Sequence, residues 1–208
     1  MPRPRVYDTD RVLDAAESLA VTSGPAAVTI RAISAAVGVS NGAVYHTFGS
    51  RAGLLGRVWL RAGRRFLDAQ TALVDQALSA PGRQAGVDAV VAAADAPAVF
   101  AEQYPNSSML LLVVRREELL EPDLPDEIGS EIKTLETRLI GLMIRLALRV
   151  WERKDAGAVD TITTCIVDLP TAILLRRNRL GSSTAREQLR AAVTAVLDIG
   201  PPPERTAA

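Results

Sequence analysis

The stretch that decides the fold is residues 29–55, which read TIRAISAAVGVSNGAVYHTFGSRAGLL. Ile30, Ile33 and Val37 repeat at helical spacing, behind a threonine that can cap a helix start, and Ser34 is expected off this apolar face. Gly38 suits the left-handed backbone that ends many helices. A shorter helix is predicted over 41–48, because a Ser-Asn pair that favours N-caps precedes it and Phe-Gly closes it. The stretch therefore predicts two helices joined by a tight turn.

A helix, a tight turn containing glycine and a second short helix form a helix-turn-helix pattern. The pattern suits duplex DNA, because the first helix can brace across the backbone while the second enters the major groove, which is about 12 Å wide. In that geometry the N-terminal residues of the second helix reach the base edges. Ser50 then predicts the start of a longer helix.

The rest of the sequence also predicts helices, so we expect an all-α fold with an N-terminal three-helix DNA-binding domain. Breaks are expected near Pro97 and Pro105, and a kink is expected at Pro170. The apolar run 109–114 predicts a buried helix start. One further predicted helix runs from a cap at Asp8 or Thr9 to a stop at Gly24-Pro25. The others cover residues 50–78, 84–104 (as one or two helices), 126–153, 159–177 and 184–199, with a short turn expected over residues 155–157. We expect three parts: a DNA-binding domain over 1–52, a helical effector-binding and dimerisation domain over 53–200, and a tail over 201–208.

Composition excludes several classes of protein. Aromatic residues make up only 4% of the chain against 48% apolar residues, which favours helix-rich packing. One cysteine excludes an internal disulfide framework, and with a single histidine it cannot form a Cys/His zinc site. The longest apolar run has six residues, whereas a membrane-spanning helix needs about 20. We therefore expect a cytoplasmic protein without a metal, a cofactor or a membrane partner.

The formal net charge is zero but is unevenly distributed. Residues 1–66 hold nine arginines and four acidic residues, while residues 67–208 hold an excess of acidic residues. A basic first third favours an anionic partner, with nucleic acid first among the candidates. Ordinary variation in surface charge is the alternative explanation.

Residues 29–55 resemble the DNA-binding segment of the TetR family of transcriptional regulators, and the similarity extends over residues 8–60. It depends on many positions that agree in order and spacing: Thr29, Ile30, Ile33, Gly38-Val39-Ser40, Gly42, Tyr45, Phe48, Ser50-Arg51 and Leu54-Leu55. The chain departs from the family at Arg51, where lysine is common, and at Gly53, where an acidic residue is common.

The resemblance implies a set of DNA-contacting residues. Ser40, Asn41, Gly42 and Ala43 open the recognition helix, where side chains reach base edges and backbone amides can face phosphate. The resemblance also implies phosphate contacts for Thr29, Arg31, Tyr45, His46 and Arg51. The alternatives are that Ser40 and Asn41 only cap the helix, that Tyr45 packs in the core and that His46 is an ordinary surface residue. Arg3 and Arg5 can form an arm that enters the minor groove.

The second domain of the family encloses a small-molecule cavity, so we expect an effector site between its helices. Core packing is the alternative role for each candidate. The candidate lining residues are Phe100, Tyr104, Met109, Leu112, Met143 and Cys165, with Arg116 or Arg145 as polar anchors. Few polar groups occur among them, so we expect a largely apolar effector.

The sequence thus predicts a ligand-responsive repressor that binds a palindromic operator as a homodimer. The dimer contact is expected near residues 126–153 and 159–177, where the first helix has a second apolar face at Ile140, Met143, Ala147 and Trp151. An activator or an effector-independent regulator is the alternative. A helical enzyme or ligand carrier is a rival from another class. The segment GVSNG fits the sequence of a hydrolase nucleophile motif, but that motif needs a strand before its serine, and here a helix is predicted before it.

Overall fold

A computed structural model describes residues 8–114 and 124–203, and over these residues the chain is helical and contains no β-strand. The predicted all-α class is therefore confirmed. The helices are α1 Thr9–Ser23, α2 Ile30–Val37, α3 Asn41–Phe48, α4 Arg51–Leu78, α5 Arg83–Gln103, α6 Pro105–Val113, α7 Asp126–Trp151, α8 Ala156–Leu175 and α9 Ser183–Ile199. Arg3, Arg5 and Arg116 lie outside the described residues.

The chain divides into two compact units. The first comprises Met1–Arg64 and Pro105–Thr134, and the second comprises Arg65–Tyr104 and Leu135–Ala208. The divisions fall within α4, between α5 and α6, and within α7, so α4 and α7 contribute to both units.

The first unit has an apolar core to which α1 to α4 and α6 all contribute. Burying each Leu, Ile, Val or Phe side chain stabilises the fold by about 1.5–3 kcal/mol. Ser34 is also buried, although the sequence pattern placed it off the apolar face of α2, so that placement was wrong. Central members of this core are Val12, Ile33, Val44, Phe48, Leu54, Val58 and Leu110.

Local capping interactions form the helix-turn-helix as the sequence predicted. The hydroxyl oxygens of Thr29, Ser40 and Ser50 each accept a hydrogen bond from the backbone N–H three residues later, at 3.1, 3.2 and 2.9 Å. Each such cap contributes about 1 kcal/mol to helix stability. Gly38 ends α2 with a φ of 70°, in the left-handed region that glycine adopts without steric cost.

The predicted break near Pro97 is wrong, because α5 continues through this proline. Pro97 has no N–H, so it cannot donate to the carbonyl of Ala93 one turn earlier. The side-chain amide of Gln70, on α4, donates to that carbonyl instead, through a buried bond of 2.9 Å between Nε2 and the Ala93 oxygen. A side chain from the neighbouring helix therefore replaces the missing backbone donor. The predicted break at Pro105 is confirmed, since α5 ends before it and α6 begins at it.

The connection between α7 and α8 lies earlier than the sequence indicated. Helix α7 ends at Trp151 rather than at residue 153, and Asp155 is the N-cap of α8, so the turn predicted over residues 155–157 is the first turn of the helix. Around Pro170 the helix widens into π-helical turns at Thr164–Asp168 and Thr171–Leu175. The backbone there forms hydrogen bonds to the residue five positions back, as π-helices do.

Two predictions of burial need correction. Met143 and Ala147 of α7 are buried, so they do not belong to an outward apolar face, whereas Ile140 is 51% exposed and Leu148 is also exposed. Met109 of α6 is exposed, although the apolar run around it predicted burial on all sides. Of the four residues expected on the second apolar face of α7, Ile140 is therefore exposed and Trp151 is half-buried, while Leu148 is an exposed apolar residue outside that set.

Helix α8 is, among the described residues, the one segment long and apolar enough to cross a membrane, with a mean hydropathy of 1.6. Core helices of soluble proteins commonly meet the same criterion. Within its unit α8 packs against α5 and α9. Only 33% of its most apolar window is buried, however, and several of its apolar residues are partly exposed: Val159, Val167, Leu169, Ile173 and Leu175.

Candidate nucleic-acid interface

Helix α3 has one buried face and one exposed face. Val44 and Phe48 are buried in the core of the first unit, which fixes the orientation of the helix. Asn41 and His46 are exposed, and Tyr45 is 62% exposed. The arrangement presents polar and aromatic groups outward from a helix that the core holds in place.

Gly42, in the first turn of α3, has no internal reason to be glycine. A Cβ atom placed there would meet nothing within 4 Å, and its backbone is helical. Glycine costs up to about 1 kcal/mol relative to alanine within a helix. A glycine that its own fold does not require is compatible with the close approach of another molecule.

The two N-caps near this surface retain donor groups. The Thr29 and Ser40 oxygens accept from backbone amides, which leaves each hydroxyl hydrogen available to another acceptor. Arg31 lies in the first turn of α2 and is exposed. The structure therefore brings Thr29 and Arg31 together at the start of α2, and Ser40, Asn41, Gly42 and Ala43 at the start of α3.

Arg51 has an internal role that the sequence did not reveal. Its Nε donates to the carbonyl of Val28 at 2.8 Å, and its Nη2 donates to the carbonyl of Pro25 at 2.7 Å. These bonds tie the start of α4 to the loop that precedes α2. Arg51 is exposed and keeps further N–H groups, so its phosphate contact stays a prediction.

Part of the cationic excess of the first third is neutralised within the first unit. Arg57 pairs with Glu127 at 3.2 Å, and Arg64 pairs with Glu131. Arg61 pairs with acids of α1. The charge excess by itself is therefore weaker support for a nucleic-acid partner than the sequence count indicated.

A buried polar network links α1, α4 and α6. Arg61 Nη2 lies 2.7 Å from Glu17 Oε2 and 2.8 Å from Asp14 Oδ1. The hydroxyl of Ser107, in the first turn of α6, donates to Glu17 Oε1 at 2.6 Å. The charge count included Glu17 among the four acidic residues of the first third and gave it no structural role. Glu17 occupies a position on the apolar stripe of α1, between Leu13 and Ala20. That position was the available signal.

The predicted effector residues fall in both units. In the second unit, the Phe100 ring is buried and lies 5.4 Å from the exposed ring of Tyr104, and Met143 is buried. Cys165 is fully buried, and burial raises the pKa of its thiol to about 12. In the first unit, Met109 is exposed and Leu112 is half-buried on α6. The effector site stays a prediction.

Two further sequence hypotheses can be compared with the geometry. Arg145, a suggested polar anchor, pairs with Asp75 at 2.6 Å. Ser40, in the segment GVSNG, follows helix α2 and caps helix α3. A nucleophile elbow needs a strand before its serine, so this segment does not have that geometry.

Comparison with known proteins supports the resemblance. Residues 12–58 match the family model described as bacterial regulatory proteins of the tetR family. The sequence has no significant match among curated proteins. The TetR-family regulator PfmR from Thermus thermophilus is 23% identical with a TM-score of 0.61, over 97% of this chain and 100% of that one. A tetR-family protein from Rhodococcus RHA1 is 19% identical with a TM-score of 0.63, over 94% and 97%.

The ketosteroid transcriptional regulator KstR2 of Mycobacterium tuberculosis has the same fold, with 18% identity and a TM-score of 0.60, over 95% of this chain and 97% of that one. These identities establish the fold, and the match over residues 12–58 supplies the sequence evidence. Residues 12–58 thus match the tetR-family model, and the chain has the fold of TetR-family regulators; together these two findings support a DNA-binding regulator.

Proposed function

We propose that the protein is a ligand-responsive transcriptional repressor that binds a palindromic operator as a homodimer through the exposed face of α3. The observation that carries the proposal is Gly42, an exposed helical glycine that the fold does not require. It lies between residues whose side chains suit base contacts. Asn41 can form a bidentate bond with adenine, and Ala43 can contact a thymine methyl group.

Phosphate contacts would position this helix on the duplex. Tyr45 and His46 point into solvent from the same helix, and Thr29 and Arg31 lie at the start of α2. Hydroxyl, imidazole and guanidinium groups are common donors to phosphate oxygens. Arg51 would act mainly by holding the loop before α2, because two of its donors are already bonded there.

A homodimer would give a specificity for its DNA sequence that a single recognition helix cannot provide. Two helix-turn-helix units related by a two-fold axis read half-sites about 34–36 Å apart. The apolar exposure of Ile140 and Leu148 on α7, together with the apolar surface of α8, supports a dimer contact in the predicted regions 126–153 and 159–177.

The assignment of roles along the chain follows the sequence prediction. Residues 1–52 would bind DNA, and residues 53–200 would bind a largely apolar effector and dimerise. An effector changes DNA affinity only through its preference between two states of the protein. The hydrogen bond between Ser107 and Glu17 is one contact through which effector binding would affect DNA binding, because it joins α6 to α1, the first helix of the DNA-binding unit.

The proposal is tested by replacing Gly42 with alanine and measuring binding to the DNA that flanks the protein's own gene. The change should leave the fold as stable or raise its stability by about 0.4–1 kcal/mol. DNA affinity should fall about tenfold, equivalent to about 1.4 kcal/mol. Gly129→Ala is the matched control, since Gly129 is also helical with no neighbour within 4 Å of a Cβ atom. Equal DNA affinity of the two variants would contradict the proposed contact.

The dimer contact is tested by Ile140→Glu in sedimentation velocity. A charge on this exposed apolar site should shift the protein from dimer to monomer, because it would lie unpaired in the interface. Ile199→Glu provides the control, as Ile199 is 85% exposed and lies on α9, outside the proposed contact. A dimer unaffected by Ile140→Glu would place the interface elsewhere.

A further inference from the structure

A cleft of about 610 Å³ opens in the second unit, where α5 begins and α7 ends. Its volume is within the range of small-molecule sites, about 300–1,000 Å³. None of the residues predicted to bind the effector lines it. Its lining includes three apolar residues, Val150, Trp151 and Pro201, and three cationic residues, Arg83, Arg149 and Arg153.

Apolar residues contribute part of the cleft lining, and a close approach of α5 to α7 fixes it. Val150 is buried and Trp151 is half-buried. A Cβ atom on Gly86 would lie 2.9 Å from the carbonyl oxygen of Arg149, so glycine lets α5 lie directly against the end of α7. Trp151 and Pro201 add an indole and a pyrrolidine ring to this lining.

Arg153 holds the C-terminal side of the cleft in place. Its Nε and Nη2 donate to the two carboxylate oxygens of Asp155, each at 2.8 Å. Its Nη2 also donates to the carbonyl of Pro202 at 2.9 Å, next to the lining residue Pro201. This side of the cleft is therefore a wall built by side-chain contacts, and the charge of Arg153 is already balanced by Asp155.

The other two arginines are available to a ligand. Arg83 and Arg149 are exposed, and neither forms an ion pair with any residue in the described part of the chain. Glu152 is the one acidic residue that lines the cleft in the described structure. The cleft thus combines apolar residues with two arginines that form no ion pair within the described residues and with one carboxylate.

We propose that this cleft binds a small organic anion, in which a phosphate or carboxylate group is held by Arg83 and Arg149 and a flat apolar part lies on Trp151 and Pro201. Guanidinium groups match both anions through paired hydrogen bonds. An indole face stabilises a flat group by stacking. The site is separate from the proposed DNA contact and from the predicted effector residues, so it stands or falls independently of both.

The backbone at Glu152 supports a functional role for the cleft. Its φ is 58°, in the left-handed region that favours glycine, at a helix end where glycine is the usual residue. A carboxylate there also faces the negative end of the α7 dipole. Strained residues of this kind cluster at binding sites. Glu152 would oppose an anion and so set an upper limit on its affinity.

The test is isothermal titration calorimetry of the full chain with three probes: phenyl phosphate, benzoate and inorganic phosphate. We expect saturable binding of phenyl phosphate or benzoate with a Kd below about 1 mM. Inorganic phosphate should bind at least tenfold more weakly, because it lacks the flat part. The better of the two aromatic probes identifies the anionic group. Absence of saturable binding by both aromatic probes would overturn the proposal.

Three variants locate the binding. Arg149→Gln should lower the affinity for the better probe at least tenfold, because it removes a positive charge from the cleft. Glu152→Gln should raise that affinity, because it removes a negative charge. Arg138→Gln is the matched control on α7, since Arg138 pairs with Asp68 and does not line the cleft. An Arg149→Gln variant that binds as the wild type does, or an Arg138→Gln variant that is weakened equally, would contradict the proposed site.

Discussion

Replacing Arg61 with methionine should destabilise the first unit more than the same replacement at any other arginine of that unit. The Arg61 side chain is 13% exposed and Glu17 is 6% exposed, so their ion pair lies in a largely dry environment. Removing one partner of a buried pair costs about 3–5 kcal/mol, because the other charge stays buried. In that variant Ser107 would still donate a hydrogen bond to Glu17 Oε1. We therefore expect a loss of about 3–5 kcal/mol.

Urea unfolding followed by tryptophan fluorescence measures this loss. Trp59 packs against the core of the first unit, so a Trp151→Phe background makes the signal specific to that unit. Arg57→Met is the matched control one turn earlier on α4, because Arg57 pairs with Glu127, which is 70% exposed. An exposed pair of this kind contributes less than about 1 kcal/mol.

A double variant separates the loss of the ion pair from the cost of the charge left behind. Changing Glu17 to leucine together with Arg61→Met removes both charges, and apolar replacements of buried ion pairs are often neutral. The double variant should therefore be more stable than Arg61→Met alone. Two results would contradict this account of the buried network. One is that Arg61→Met costs no more stability than Arg57→Met. The other is that the loss in the double variant equals the sum of the losses of Arg61→Met and Glu17→Leu measured separately.

Three further predictions concern the second unit. Gln70→Leu should cost about 1–3 kcal/mol by urea unfolding, because it removes the donor to the carbonyl that Pro97 leaves free. In a Pro97→Ala background Gln70→Leu should cost under about 0.5 kcal/mol. Equal costs in both backgrounds would show that Gln70 does not replace the backbone donor that Pro97 lacks. Glu152→Gly should raise stability by about 0.5–1 kcal/mol, since glycine adopts the left-handed backbone freely, and a lower Tm would contradict this. A side-chain hydrogen bond from Arg153, two residues earlier, lowers the pKa of Asp155 from 3.8 to about 2. The ion pair therefore stabilises the fold above pH 4 and loses its contribution as the pH falls through 2. The Tm difference between Asp155→Asn and the wild type should shrink over that range, and a constant difference would show that the charge is not responsible.

Local signals were sufficient to predict the helix-turn-helix. Thr29, Gly38, Ser40 and Ser50 each act through their own backbone or a neighbour three residues away, so the sequence contains the whole interaction. The buried faces of α2 and α3 follow from helical spacing in the same way. The exception is Ser34, a polar residue that lies four residues after Ile30, on the same side of the helix, and is buried.

Interactions between distant residues explain what the sequence missed. The continuity of α5 depends on Gln70, which lies 23 residues from its acceptor Ala93. The role of Arg51 depends on carbonyls 23 and 26 residues away. The cationic cleft exists only because α5, the end of α7 and Pro201 come together in three dimensions. Propensity and spacing along one helix carry no record of such partners.

The most direct test of the central claim is fluorescence anisotropy with duplexes that tile the DNA flanking the gene. We expect one palindromic duplex to bind a dimer with a Kd of about 10⁻⁸–10⁻¹¹ M at physiological salt, and affinity to fall as salt rises. The double change Tyr45→Ala with His46→Ala should weaken that binding at least about tenfold while circular dichroism is unchanged. A folded, dimeric sample that binds none of the duplexes at about 50 mM salt would contradict a DNA-binding role for α3.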